Sequence, residues 1–152
     1  MDKSKKRILV VDDDMDILES IRIILEASGY SVDTAKNGSE AIEKAKSNFY
    51  NLALLDIKLP DIEGIDLLAL MPKTTPKMMK IMITGYSSEE NAIKSLNLGA
   101  DAYLKKPIQP EKLLEVVEDK LKEQEEIEEM NQTKMDNIIR TRILRLEKEQ
   151  GL

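Results

Sequence analysis

Apolar residues fall along this chain in two alternating rhythms. Short runs rich in β-branched and aliphatic residues occur at residues 7–11, 31–35, 51–59, 80–84 and 101–105. Runs of this length, bounded by turn formers, read as strands buried on both faces. Between them, apolar residues recur three and four positions apart. Ile17, Ile21, Ile24 and Leu25 mark a helix over residues 16–27 with Gly29 as its stop, and Ala41, Ile42 and Ala45 mark a second over 40–47. A third is expected over 65–71, closed by Pro72, and a fourth over 88–98, capped by Ser87 or Ser88. A long fifth helix opens at Gln109-Pro110, proline being well placed in a first turn. Strands and helices alternate with no hairpin signal. That order predicts an α/β fold, a parallel sheet joined by right-handed crossovers and covered by helices on both faces. There is no internal repeat and no low-complexity stretch.

The polar residues that end these strands are of a restricted kind. The first strand ends in Asp12-Asp13-Asp14, the third in Asp56, the fourth in Thr84 and the fifth in Lys106. A parallel sheet brings all these ends to one rim, where open α/β sheets bind their ligands. Asp56 alone reads more readily as a loop cap; the convergence of acids, a hydroxyl and an ammonium is what points to a site. Close carboxylates repel by about 4 kcal/mol per pair at an effective dielectric of 20. A hard divalent cation relieves that repulsion, and few protein ligands, all oxygen, suit Mg²⁺. The lysine and threonine then equip the rim for phosphoryl oxygens, with one carboxylate free to attack phosphorus.

Composition narrows the classes. At 152 residues with 41% apolar and 3% aromatic residues, the core must be aliphatic. A net charge of -6 argues against direct nucleic-acid binding. The chain has no Cys and no His, which removes disulfides, thiolate or imidazole zinc sites and serine-triad chemistry, and any phosphohistidine must come from another protein. No apolar run approaches the ~20 residues of a membrane span, and the basic start Lys3-Ser4-Lys5-Lys6-Arg7 leads into too short an apolar segment for a signal peptide. A soluble cytoplasmic protein without membrane contact is the expectation.

Four segments carry a family resemblance: Val10-Val11-Asp12-Asp13; Asp56-Ile57-Lys58-Leu59-Pro60 with Gly64; Ile83-Thr84-Gly85; and Gly99-Ala100-Asp101-Ala102-Tyr103-Leu104-Lys105-Lys106-Pro107. In this set and order the chain resembles a response-regulator receiver domain, the CheY-like phospho-acceptor module of two-component signalling, from about Lys6 to Leu121. The resemblance implies a doubly wound, flavodoxin-like sheet of strand order 2-1-3-4-5 with five helices. It implies Asp56 as the phospho-acceptor and Mg²⁺ held by Asp13, Asp56 and the Lys58 backbone carbonyl, with Asp12 acting through water. It implies Lys106, rather than Lys105, on the phosphoryl oxygens, because the family's lysine directly precedes proline. Lys106-Pro107 is then expected to be cis. Thr84 and Tyr103 are implied as the switch pair, acting on the face made by the fourth helix, fifth strand and fifth helix. Tyr86 and Lys58 flank the site. The implied function is a single-domain response regulator that takes a phosphoryl group from a sensor histidine kinase, with slow self-dephosphorylation as its sole catalysis. A pseudo-receiver serving only assembly is the alternative.

Other readings fail on detail. Asp14 is read as the N-cap of the first helix rather than a ligand. Asp12, Asp14 and Asp16 mimic the start of a calcium loop, but Ile17 and Ile23 stand where glycine and a bidentate glutamate are needed. A haloacid-dehalogenase-type phosphatase wants Thr or Val where Asp16 stands.

Residues 122–152 exceed what a receiver needs. Glu123, Glu125, Glu126, Glu128 and Glu129 form an acidic run; Asn131-Gln132-Thr133 reads as a break; Met135, Ile138, Ile139, Ile143 and Leu146 then form an apolar stripe among Arg140, Arg142, Arg145 and Lys148. The segment is too short for a helix-turn-helix module. Three readings stand: a solvated helical extension, an acidic-to-basic hairpin within the chain, or antiparallel pairing between two chains. A homodimer through this tail or through the face of the fourth helix, fifth strand and fifth helix is the partner expectation; the downstream target is not named by the sequence.

Overall fold

The computed structural model describes residues 1–85 and 89–151, with backbone alone for 89–92. The expectations for Tyr86, Ser87 and Ser88 lie outside the described residues. A 3-10 turn at Lys3–Lys5 leads into β1 (Arg7–Val11), α1 (Met15–Ala27), β2 (Ser31–Ala35), α2 (Gly38–Ser47), β3 (Leu52–Asp56), α3 (Gly64–Leu70), β4 (Met79–Thr84), α4 (Glu89–Asn97), β5 (Ala102–Lys105) and α5 (Pro110–Glu149). The strands form one sheet of order β2-β1-β3-β4-β5, every neighbouring pair parallel. The doubly wound fold expected from the sequence is the one observed.

Period-two alternation divides each strand between two cores. Ile8, Val10, Leu52, Leu54, Ile81 and Ile83 face Leu18, Ile21 and Leu25 of α1 and Leu113, Val117 and Leu121 of α5. Leu9, Val11, Ala53, Leu55 and Met82 face Ala41 and Ala45 of α2 and Leu67 and Leu68 of α3. β3 lies at the centre, and all its residues, Asp56 included, are buried. This is why that stretch reads as apolar throughout.

Helix ends follow local chemistry. Asp14 caps α1, its carboxylate accepting from the Asp16 and Ile17 amides, as its N-cap reading required. Asn37 caps α2, which therefore starts at Gly38 and not at residue 40. Lys106-Pro107 is cis, as is Thr75-Pro76, which carried no sequence signal.

The tail departs from one expectation. Residues 131–133 do not break the helix; α5 is continuous for 40 residues. Asn, Gln and Thr each cost only about 0.4–0.7 kcal/mol against alanine in a helix interior, and neither Gly nor Pro is present to stop it. The hairpin within one chain is thereby excluded. α5 stays docked past Leu121 to Gln124. The buried Gln124 amide donates to the backbone carbonyls of Asn51 and Lys77, and its carbonyl accepts from the Asn51 side chain at 3.1 Å. Every described residue from 131 onward is exposed.

Candidate functional site

The carboxyl ends of β1, β3, β4 and β5 meet at one rim because parallel register makes them end level. Val11 pairs with Leu55, Asp56 with Ile83, and Thr84 with Lys105. Backbone bonds carry the order one residue further: Ile57 N–H donates to Ile83 O at 2.9 Å, and Lys106 N–H to Thr84 O at 2.7 Å. Asp12, Asp56, Thr84 and Lys106 are thus fixed by backbone before any side chain interacts.

The side chains converge. Oxygens of Asp12, Asp13 and Asp56 all lie within 4.8 Å of one another. Lys106 Nζ stands 2.9 Å from Asp12 Oδ2 and 3.3 Å from Asp56 Oδ2. Asp12 Oδ1 accepts from the Asp14 amide at 2.9 Å, which turns Oδ2 toward the lysine. Asp56 Oδ1 accepts from the Lys58 amide at 3.2 Å. Asp12 and Asp56 are buried, whereas Asp13 is exposed, so the cluster is open to solvent on the Asp13 side. Lys105 is exposed, and its neighbour Lys106 is the lysine turned into the acids. Successive strand residues point to opposite faces, which separates the two.

Electrostatics follow from burial. The Asp56 carboxyl titrates above its ordinary value, first because it is desolvated and second because Asp12 repels it; the Lys58 amide and Lys106 offset part of this. Burial pushes the Lys106 ammonium down, but Asp12 and Asp56 outweigh it and the net direction is up. By formal charge, three carboxyl groups stand against one ammonium, a surplus of about two negative charges that one divalent cation cancels. Asp12 Oδ2 is fully buried and lacks an aligned hydrogen bond despite its ion pair, a lone pair suited to a ligand. The oxygen-only donor set fits a hard divalent ion; this is an acidic pocket of the kind that binds one.

The loop after β3 is held by three devices. Gly64 N–H donates to Ile57 O at 2.6 Å, and a Cβ at Gly64 would collide with the Asp56 carbonyl and sit 2.8 Å from Ile57 Cα. Asp61 reaches back to accept from the Gly38 and Ser39 amides at 2.8 and 2.9 Å, and these bonds hold its carboxyl below the ordinary range. Lys58 and Glu63 bridge across the loop. The Asp61 tie has no sequence signal, because nothing local pairs residue 61 with residue 38. Tyr103 is half-buried against the core that also holds Leu59 and Ile62.

Comparison with known proteins agrees with this geometry. The family model for the response regulator receiver domain matches residues 8–118. A solved receiver domain protein (CheY-like) from Methanospirillum hungatei JF-1 is 55% identical with a TM-score of 0.75, covering 80% of this chain and 97% of that one. A receiver domain from Clostridium thermocellum is 31% identical with a TM-score of 0.74, covering 80% and 98%. Among curated relatives, the alkaline phosphatase synthesis transcriptional regulatory protein PhoP of Bacillus subtilis is 38% identical over 105 residues, 69% of this chain and 44% of PhoP. The alginate biosynthesis regulator AlgB of Pseudomonas syringae is 36% identical over 73% of this chain and 25% of its own length. The chain thus spans from a quarter to under half of these relatives. From strand order to rim chemistry, and by similarity across most of its length, this chain belongs to the response-regulator receiver family.

Proposed function

We propose that Asp56 accepts a phosphoryl group from a phosphohistidine on a partner sensor kinase. An Asp56 carboxylate oxygen attacks phosphorus, the phosphorus–nitrogen bond breaks, and the departing imidazole takes up a proton. Lys106 supports this reading most directly: its ammonium touches both buried acids and can follow the charge onto phosphoryl oxygens. Asp12, Asp13, Asp56 and the Lys58 carbonyl would hold Mg²⁺, which when bound supplies charge neutralisation to the phosphoryl oxygens. Asp12 fixes Lys106, and the buried Thr84 hydroxyl is the donor for the new phosphoryl group.

Phosphorylation adds about 1.5 to 2 negative charges behind β4 and β5. Thr84 and Tyr103 respond together, biasing a two-state equilibrium at the face of α4, β5 and α5 toward the form a downstream protein binds. Catalysis by this chain is confined to slow hydrolysis of its own acyl phosphate. Direct DNA contact is no part of this reading, since the chain carries a net charge of -6.

The test is intact mass after incubation with acetyl phosphate and Mg²⁺. One phosphoryl group is expected on the wild type, none on Asp56→Asn and none after metal chelation. A phosphoryl group retained by Asp56→Asn would refute the assignment.

A further inference from the structure

Gln124 is the last buried residue of α5, and the helix runs on past it to Glu149. Over that stretch Met135, Ile138, Ile139, Ile143 and Leu146 recur at i, i+3, i+4, i+8 and i+11, one stripe of a 3.6-residue helix, and are 49–63% exposed. The stripe continues the face that is buried upstream at Leu113, Val117, Leu121 and Gln124. Charge divides the same stretch in two. Residues 123–133 hold five glutamates and no base, whereas residues 139–146 hold three arginines and no acid. One charge of each sign stands on the stripe itself at helical spacing, Glu128 before its apolar centre and Arg142 after it.

We propose that the stretch of α5 beyond Gln124 pairs antiparallel with the same stretch of a second copy of the chain. The fold sets the direction. The stripe lies on the side of α5 that faces the sheet upstream, so a parallel partner helix laid on it would run into the space the sheet fills. An antiparallel partner arrives from the other end and stops at the base of the domain. Charge sets the same direction. Antiparallel alignment lays the arginine segment of each helix along the glutamate segment of the other; parallel alignment would press Arg142 against Arg142 and Glu128 against Glu128.

The register follows from the length available. Residues 125–149 span about 37 Å at 1.5 Å per residue, and their midpoint is residue 137. A two-fold axis there makes a closed isologous pair. Met135 of each copy then meets Ile138 and Ile139 of the other, an apolar centre built from both chains. Residues 139–146 lie along residues 128–135 of the other copy, which brings Arg142 within about one turn of Glu128. Leu146 comes level with Glu128, where Thr74, Lys77, Ile127 and Asn131 line a recess of about 180 Å³ between α5 and the N-terminal edge of the sheet. The recess thus stands where the end of the partner helix arrives.

The experiment is sedimentation equilibrium on the full chain, without phosphoryl donor, so its outcome is independent of Asp56 chemistry. Wild type is expected to dimerise with rising concentration. Ile139→Glu and Arg142→Glu are each expected to weaken the dimer about tenfold or more with unchanged helical circular dichroism. Adding Glu128→Arg to Arg142→Glu in one chain is expected to restore it, since each copy then offers the other the same pair with its signs exchanged. A wild type monomeric at several hundred micromolar overturns the proposal. So does a dimer that Ile139→Glu leaves intact, which would lie on another face. A dimer weakened by Ile139→Glu but not by Arg142→Glu overturns it too, because in a parallel pair like charges face each other before and after the change. A double variant no tighter than Arg142→Glu alone overturns the pairing of Glu128 with Arg142, and the antiparallel register with it.

Discussion

At the scale of single residues, the rim is a destabilised arrangement kept for its chemistry. Asp56 is 5% exposed, with Asp12 as a buried neighbour of like charge, and its carboxyl is raised from the ordinary 3.8. A carboxyl whose folded value is raised contributes stability that is complete below its unfolded value and lost as pH rises through the folded value. Above the folded value the wild type has lost that contribution, while a neutral amide keeps it. Asp56→Asn is therefore expected to be the more stable of the two in chelator on the alkaline side of that value. The gap should close as pH falls through the folded Asp56 value, which denaturation at a series of pH values will show. Lys106→Met has the opposite sign. It leaves Asp12 and Asp56 buried without their counter-charge and is expected to cost about 1–3 kcal/mol and to slow phosphoryl uptake. Asp13 is the exposed member of the cluster, so Asp13→Asn should leave stability in chelator nearly unchanged while abolishing the rise in melting temperature on adding Mg²⁺.

At the scale of elements, two connections carry more weight than their length suggests. The β3–α3 loop approaches β3 so closely at Gly64 that a methyl group meets backbone rather than a side chain that can turn aside. Gly64→Ala is expected to cost about 2–4 kcal/mol and to displace the Lys58 amide from Asp56, measurable as lower stability together with slower phosphorylation. The second connection is Gln124, a buried polar residue on an otherwise apolar face of α5. Replacing it by leucine removes a donor from the Lys77 carbonyl and the acceptor of the Asn51 side-chain amide, and leaves the Asn51 carbonyl with the Met79 amide alone, at an expected cost of about 1–3 kcal/mol in chemical denaturation. Neither feature is inferable from periodicity. A helical wheel places Gln124 on the packing face but gives no reason for a polar group there; the reason is the N-terminal edge of the sheet, which presents the carbonyls of Asn51 and Lys77 to it.

At the scale of the whole molecule, α5 joins two regions with different demands. Its first third completes a core, and its last third presents an apolar stripe with nothing against it among the described residues. No described helix is long and apolar enough to cross a membrane. The sequence alone determined the elements and their order, because strand and helix periods are properties of the local backbone and appear wherever one face must be buried. It also determined which residues end the strands, and hence that Asp12, Asp56, Thr84 and Lys106 share a rim, since parallel strands can meet in no other way. Tertiary structure decided the rest. It tied Asp61 to the start of α2, clamped Gln124 to Asn51 and carried α5 unbroken through residues 131–133. Each of these depends on groups distant in sequence, or on a balance of tenths of a kilocalorie within a helix, and such quantities are fixed only when the chain has closed on itself.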